Sequence, residues 1–90
     1  MASNTPAGHF KILYFAAAST YTKKNDESLA APLDVTGLFQ VLEELYPGIK
    51  DQILASCAVT VNLDYVDADE KGLVIQAGDE VAIIPPVSGG

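Results

Sequence analysis

Only one stretch of the chain carries the apolar spacing of an amphipathic helix. In LDVTGLFQVLEELYPG, residues Val35, Leu38, Phe39, Leu42 and Leu45 align along one helical face. Asp34 is placed to cap the start and Pro47-Gly48 to stop it. Gly37 weakens the first turn slightly. The following IKDQILAS adds at most a turn or two of helix. A lone amphipathic helix must bury its stripe against a sheet.

The remaining apolar segments read as strands. HFKILYFA (His9–Ala16) is rich in aliphatic, β-branched and aromatic residues. The polar stretch Ala18–Ser28 reads as a loop, and LAAP (Leu29–Pro32) as a second strand closing a hairpin. Pro32 suits an edge or a strand end. CAVTVNLDYV (Cys57–Val66) reads as one strand, DADEKG as a turn, LVIQ as a short strand, AGDE as a turn and VAII as the last strand. Two hairpins around one crossing helix predict an α+β, ubiquitin-like β-grasp: a mixed sheet of four to five strands packed on one main helix. A ferredoxin-like fold would need a second substantial helix. The expected division is a lead-in over 1–8, one domain over 9–84 and an extended tail over 85–90.

Strand parity separates the two faces of the sheet. Lys11 and Glu80 mark the outward side, which assigns Leu13, Phe15, Ala82 and Ile84 to it. Phe10, Ile12, Tyr14, Val81 and Ile83 then point to the helix. If the first and last strands are neighbours, the outward apolar residues form one patch at the root of the tail. Such a patch fits a partner surface better than scattered surface apolars.

Charge narrows the partners. Twelve acids oppose five lysines with no arginine, for a net charge of −7. That composition argues against nucleic-acid binding, which needs cations facing phosphates, and against a polybasic membrane surface. It suits basic protein partners. No apolar run approaches the ~18 residues of a membrane span. The single Cys57 and the absence of a signal-like N-terminal segment predict a reducing compartment, the cytosol.

The tail carries the chemistry. Pro85-Pro86 stiffens its root. Val87-Ser88 follows, and Gly89-Gly90 can thread a channel too narrow for side chains. The six residues Pro85–Gly90 reach ~20 Å when extended. A bare carboxylate delivered this way can be activated by ATP to a glycyl-adenylate. AMP is then displaced to give a thiocarboxylate, a thioester or an amide.

Other residues read as ordinary. Cys57 shares strand phase with Val59, Val61 and Leu63 and reads as a buried thiol rather than a sulfur relay. His9 has no second ligand at metal spacing. Asp67–Glu70 lacks the pattern of a calcium loop. No metal site is expected, and the chain is not expected to be catalytic alone.

GDEVAIIPPVSGG (Gly78–Gly90) resembles the C-terminal signature of the small-subunit family of molybdopterin synthase. KILYFA (Lys11–Ala16) and VNLDYV (Val61–Val66) are similar to that family's first and middle strands. The resemblance covers most of the chain from Phe10 onward. The final motif is the most specific. The resemblance implies that Gly90 is adenylated by a ubiquitin-activating-type adenylyltransferase and sulfurtransferase, then converted to a thiocarboxylate. ATP is used by that partner, and this chain binds no cofactor. It implies that the tail enters a large subunit and gives sulfur to a cyclic pyranopterin to build the molybdopterin dithiolene. It also implies a heterotetramer of two small and two large subunits. Phe15 and Ile84 match the family's hydrophobic contact positions. The stretch Ala17–Lys24 departs from the family in lacking arginine. A related sulfur carrier, for tRNA thiolation, protein conjugation or thiamine synthesis, is one alternative. A non-covalent β-grasp interaction module is the other.

Overall fold

The computed structural model describes residues 5–86. Its strands are β1 (His9–Tyr14), β2 (Asp26–Ala30), β3 (Leu33–Asp34), β4 (Ala58–Val61), β5 (Asp64–Val66), β6 (Val74–Ile75) and β7 (Glu80–Ile84). Its helices are α1 (Ala17–Thr22), α2 (Leu38–Leu45) and α3 (Ile49–Gln52), with 3-10 turns at Val35–Gly37 and Leu54–Ser56. Five strands form one sheet in the order β2-β1-β7-β4-β5, and β3 pairs with β6 in a separate two-stranded ribbon. β1 and β7 run parallel at the centre, flanked by antiparallel partners. This is the β-grasp arrangement, with α2 crossing one face.

Strand parity holds along β1 and β7. Phe10, Ile12, Tyr14, Val81 and Ile83 are all buried, and they pack with Val35, Leu38, Leu42 and Ile49 from the helical layer. Asp34 caps the helical entry as its spacing suggests, its Oδ1 accepting from the Thr36 N–H at 3.0 Å.

Four local expectations are corrected. Ala18–Ser28 is not a loop: it holds α1 and the start of β2. α1 is short and rich in Ser and Thr, so it shows little helical signal. It is anchored by buried Ala18 and by Thr22, whose Oγ1 donates to the Ala18 carbonyl at 3.0 Å. The second strand is Asp26–Ala30 rather than Leu29–Pro32, and Pro32 lies past its end. Leu45 is 49% exposed rather than on the core face. The helix ends there, and Tyr46 and Ile49 fill the core at that end.

The fourth correction changes a face. Cys57–Val66 is two strands, joined by the two-residue turn Asn62-Leu63, with φ of 51° and 75°. Both positive values define the mirror-image turn that matches strand twist. Asn tolerates this conformation, and here its side chain is also tied down. Asn62 Oδ1 accepts from the Glu80 N–H at 3.0 Å, and Nδ2 donates to Asp79 at 3.1 Å.

A polar clamp closes the α2 end of the core. Glu27 on β2 accepts from the Tyr14 hydroxyl at 2.6 Å and the Tyr46 hydroxyl at 2.5 Å. Lys24 Nζ lies 3.1 Å from the same carboxylate. The two tyrosine rings meet edge to face, with centroids 6.3 Å apart. Glu43 secures the next turn, accepting from the N–H groups of Gly48 at 2.8 Å and Lys50 at 2.9 Å.

Candidate functional site

The candidate site is the outer face of the sheet where β7 leaves it. Parallel pairing sets Leu13 beside Ala82, and antiparallel pairing sets Thr60 on the other side of Ala82. Tyr65 stands across from Thr60 on β5. One row therefore runs Leu13, Ala82, Thr60, Tyr65. The next row toward the tail holds Ile84 opposite Ala58, with Phe15 at the end of β1. The Phe15 N–H donates to the Ile83 carbonyl at 3.3 Å, which fastens it beside β7.

The expected patch residues do share this face, but they are not equally open. Phe15 is 47% exposed, Leu13 and Ile84 are half-buried, and Ala82 is only 8% exposed. Ala82 corrects the expectation of an apolar surface there. A methyl group between Leu13 and Thr60 on adjacent strands sits in the floor of the patch, not on its surface. Pro85 is half-buried and Pro86 exposed at the root of the tail. Val87, Ser88, Gly89 and Gly90 lie outside the described residues.

Tyr65 is the large outward residue that the sequence reading missed. It is 74% exposed, and neighbouring Leu63 at the turn is 85% exposed. Reading Cys57–Val66 as one strand gives Tyr65 the inward parity of Val59 and Val61. The two-residue turn reverses that parity and carries Tyr65 to the face of Thr60 and Ala82. The signal was Asn62, a residue able to start such a turn.

Cys57 is half-buried, and its Sγ donates to the Ile53 carbonyl at 3.0 Å. Burial raises its pKa above the ordinary thiol value, which keeps it protonated and poorly nucleophilic. Leu63, expected to share its phase, lies at the turn instead. Cys57 lines an open groove of about 530 Å³ with Phe39, Leu54, Val66 and Ala68, beneath the β5 edge of the sheet. His9 Nδ1 lies 3.0 Å from the Ala7 carbonyl. Asp67 serves its own turn, accepting from the Asp69 N–H at 2.9 Å. Among the described residues no three His, Cys, Asp or Glu side chains gather as a metal site. Among them also, no helix is long and apolar enough to cross a membrane.

Comparison with known proteins agrees with this geometry. A curated relative from Phaeosphaeria nodorum, the molybdopterin synthase sulfur carrier subunit, is 61% identical over 90 residues, covering 94% of each chain. SAMP1 from Haloferax volcanii superposes with a TM-score of 0.73 at 22% identity, over 92% of this chain and 100% of that one. The complex of subunits 1 and 2 of molybdopterin-converting factor from Helicobacter pylori includes a chain matching with a TM-score of 0.65 at 23% identity, over 91% of this chain and 99% of that one. These two structures share the fold. The ThiS family model matches residues 12–90, taking in the outer-face residues Leu13, Phe15, Tyr65 and Ile84 and the whole tail. With the family pattern spanning both the sheet and its C-terminal extension, this chain belongs to the ThiS family.

Proposed function

We propose that this chain is the sulfur carrier subunit of molybdopterin synthase, with Gly90 as the atom-carrying end. The observation that carries this reading is the 61% identity to a relative bearing that role in its name, over 94% of both chains. The geometry supports it. β7 lies at the centre of the sheet, so the tail is rooted in a rigid strand held on both sides. Phe15, Leu13, Ile84 and Tyr65 offer a docking face at that root.

In this reading the outer face docks on a large subunit and aims the tail at its pocket. Burying Phe15 and Tyr65 there supplies affinity, while the acidic surface speeds encounter with basic partners. Pro85-Pro86 limits the directions the tail can take, which lowers the entropy lost on threading. Gly89 keeps the last step of the chain thin enough to enter.

The chemistry falls on the Gly90 carboxylate. One of its oxygens attacks the α-phosphorus of ATP in the activating enzyme, and pyrophosphate leaves. A persulfide sulfur then attacks the acyl carbon and AMP leaves. A thiol reduces the resulting acyl disulfide, and the thiocarboxylate remains. Its sulfur forms a bond to a carbon of the cyclic pyranopterin as a carbon–oxygen bond at that carbon breaks and the oxygen leaves with a proton. Water then cleaves the acyl–sulfur bond to restore the carboxylate. The chain supplies no general acid or base. It is a cosubstrate that works in the cytosol, within an assembly of two small and two large subunits.

Intact-mass measurement after incubation with ATP, the activating enzyme and a sulfur source tests this. Replacement of one oxygen by sulfur, mapped to Gly90, is expected. An unchanged mass, with the same enzyme active on a control carrier, overturns the covalent reading. Transfer of that sulfur to tRNA rather than to the pyranopterin would leave a carrier of the wrong pathway.

A further inference from the structure

The sheet has an open edge at β5, and three features of that edge converge. The first is its backbone. Asn62 donates to Glu80 across to β7, so along β4 the N–H and C=O of alternate residues, Thr60 included, face β7. Val59 and Val61 therefore bond β5, through Val66 and Asp64. Tyr65, between these two, directs its N–H and C=O away from the sheet. An outward donor and acceptor on an exposed strand form a template for another strand.

The second feature lies under the edge. The groove of about 530 Å³ opens there, floored by Phe39, Leu54, Cys57, Val66 and Ala68. A strand added beside β5 would place alternate side chains over these apolar groups, in a groove whose lining also includes Tyr65 and Asp67. The third feature is charge. Asp64, Asp67, Asp69 and Glu70 are all exposed on β5 and the turn after it, with Lys71 as the one cation of that stretch. Asp67 also holds its own turn, its Oδ1 accepting from the Asp69 N–H.

We propose that the β5 edge docks an extended partner segment in which basic residues alternate with apolar ones, adding a strand to the sheet. Tyr65 supplies the main-chain hydrogen bonds. The groove takes the apolar side chains, and the four acids take the basic ones. A second copy of this chain is a poor occupant. Pairing β5 with β5 would bring the acids of both copies together, and each chain carries a net charge of −7. This docking uses the backbone edge and inner side of β5 and leaves out the tail, and it shares with the outer face only Tyr65, through its main chain. It therefore stands or falls independently of sulfur transfer.

The test uses the isotope-labelled full chain and two short blocked peptides of equal charge, one alternating lysine with valine and one lysine with serine. Saturation with the lysine–valine peptide is expected to slow exchange of the Tyr65 amide by about tenfold or more. Chemical-shift changes should centre on β5 and the groove. The lysine–serine peptide should give no such protection. Tyr65→Ala keeps the backbone donor and should retain binding. Tyr65→Pro removes that donor at an edge position where proline is tolerated, and should abolish binding with the thermal midpoint little changed. Equal effects of the two peptides would reduce the site to charge alone and overturn the proposal. So would protection centred on Phe15 and Ile84, or concentration-dependent protection of Tyr65 without peptide. Exchange on the wild-type chain decides the question even if the proline variant fails to fold.

Discussion

Phe10 lies near the start of the first strand, Phe15 directly follows its end, and the two face opposite ways. Phe10 is completely buried between the sheet and the helical layer, while Phe15 keeps nearly half of its surface open. The same contrast runs through the sheet. Its inner face buries Ile12, Val59, Val81 and Ile83, and its outer face presents Leu13, Ile84 and Tyr65 beside Phe15. Both faces are apolar, but only one is satisfied within the chain. Burial of the inner face holds the fold together. The outer apolar surface adds little to that, and its place at the root of the tail fits a surface kept for a partner.

Exchanging the same residue type on the two faces should separate these roles most sharply. Phe10→Ala is expected to cost about 3–5 kcal/mol, through lost burial and the cavity left behind. A domain of this size holds only about 5–15 kcal/mol in all, so the variant should be partly unfolded at ambient temperature. Phe15→Ala, at a residue 47% exposed, should cost about 1–2 kcal/mol, well under the loss at Phe10. It should also weaken binding to a large subunit by about tenfold or more. Urea unfolding of both variants, with a binding titration of the second, reads the contrast. A large stability loss in Phe15→Ala would make the outer face structural and break it.

Gly48 gives the next largest effect, and it tests the inner layer away from the sheet. Its φ is +93°, and a Cβ there would stand 2.6 Å from the Tyr21 hydroxyl oxygen. That hydroxyl donates to the Pro47 carbonyl at 2.8 Å, so yielding would cost the bond. Gly48→Ala is expected to lose about 2 kcal/mol from left-handed strain and the displaced tyrosine. A urea midpoint equal to the wild type would show that the turn relaxes freely.

Much of this architecture was legible, and what was not has definite causes. Parity along β1 and β7 assigned the buried and outward residues because both strands are regular and central. The Asp34 cap and the α2 stripe were readable because their signals are local. Two kinds of feature escaped. α1 gets its stability from tertiary burial of Ala18 and from Tyr21 bonding Pro47, so its own composition is silent. The β4–β5 turn rests on Asn62 and Leu63, and a leucine at positive φ is not a turn signal. That one turn reversed the parity of Asp64–Val66 and hid Tyr65. The reading of the Gly89-Gly90 tail rests on residue types alone, and those residues lie outside the described ones.

The smallest expected effect belongs to the clamp that ties β1 and β2 to the end of α2, and it depends on pH. Burial pushes the Glu27 carboxyl up, but the hydroxyls of Tyr14 and Tyr46 and the Lys24 ammonium together hold it below its ordinary value. A carboxyl lowered by folding stabilises above its unfolded pKa of about 4.3, and that contribution disappears as pH falls through the lower folded value. The tyrosines act at the other end. Burial, reinforced by the Glu27 carboxylate, raises both hydroxyls above the ordinary tyrosine value. Their contribution is complete below about pH 10 and is lost as pH rises through the folded values. The clamp is therefore intact across neutral pH and weakens toward both extremes. Glu27→Gln removes the charge while keeping one acceptor, so about 1 kcal/mol should be lost at neutral pH. The loss should shrink in acid, where the wild-type carboxyl is protonated as well. Urea midpoints of both chains should draw together as pH falls from about 4.3 and converge below the lowered folded value. Parallel curves through the acid range would show that Glu27 has the same affinity for its proton folded and unfolded. The clamp would then be packing between two aromatic rings, not a charged bond.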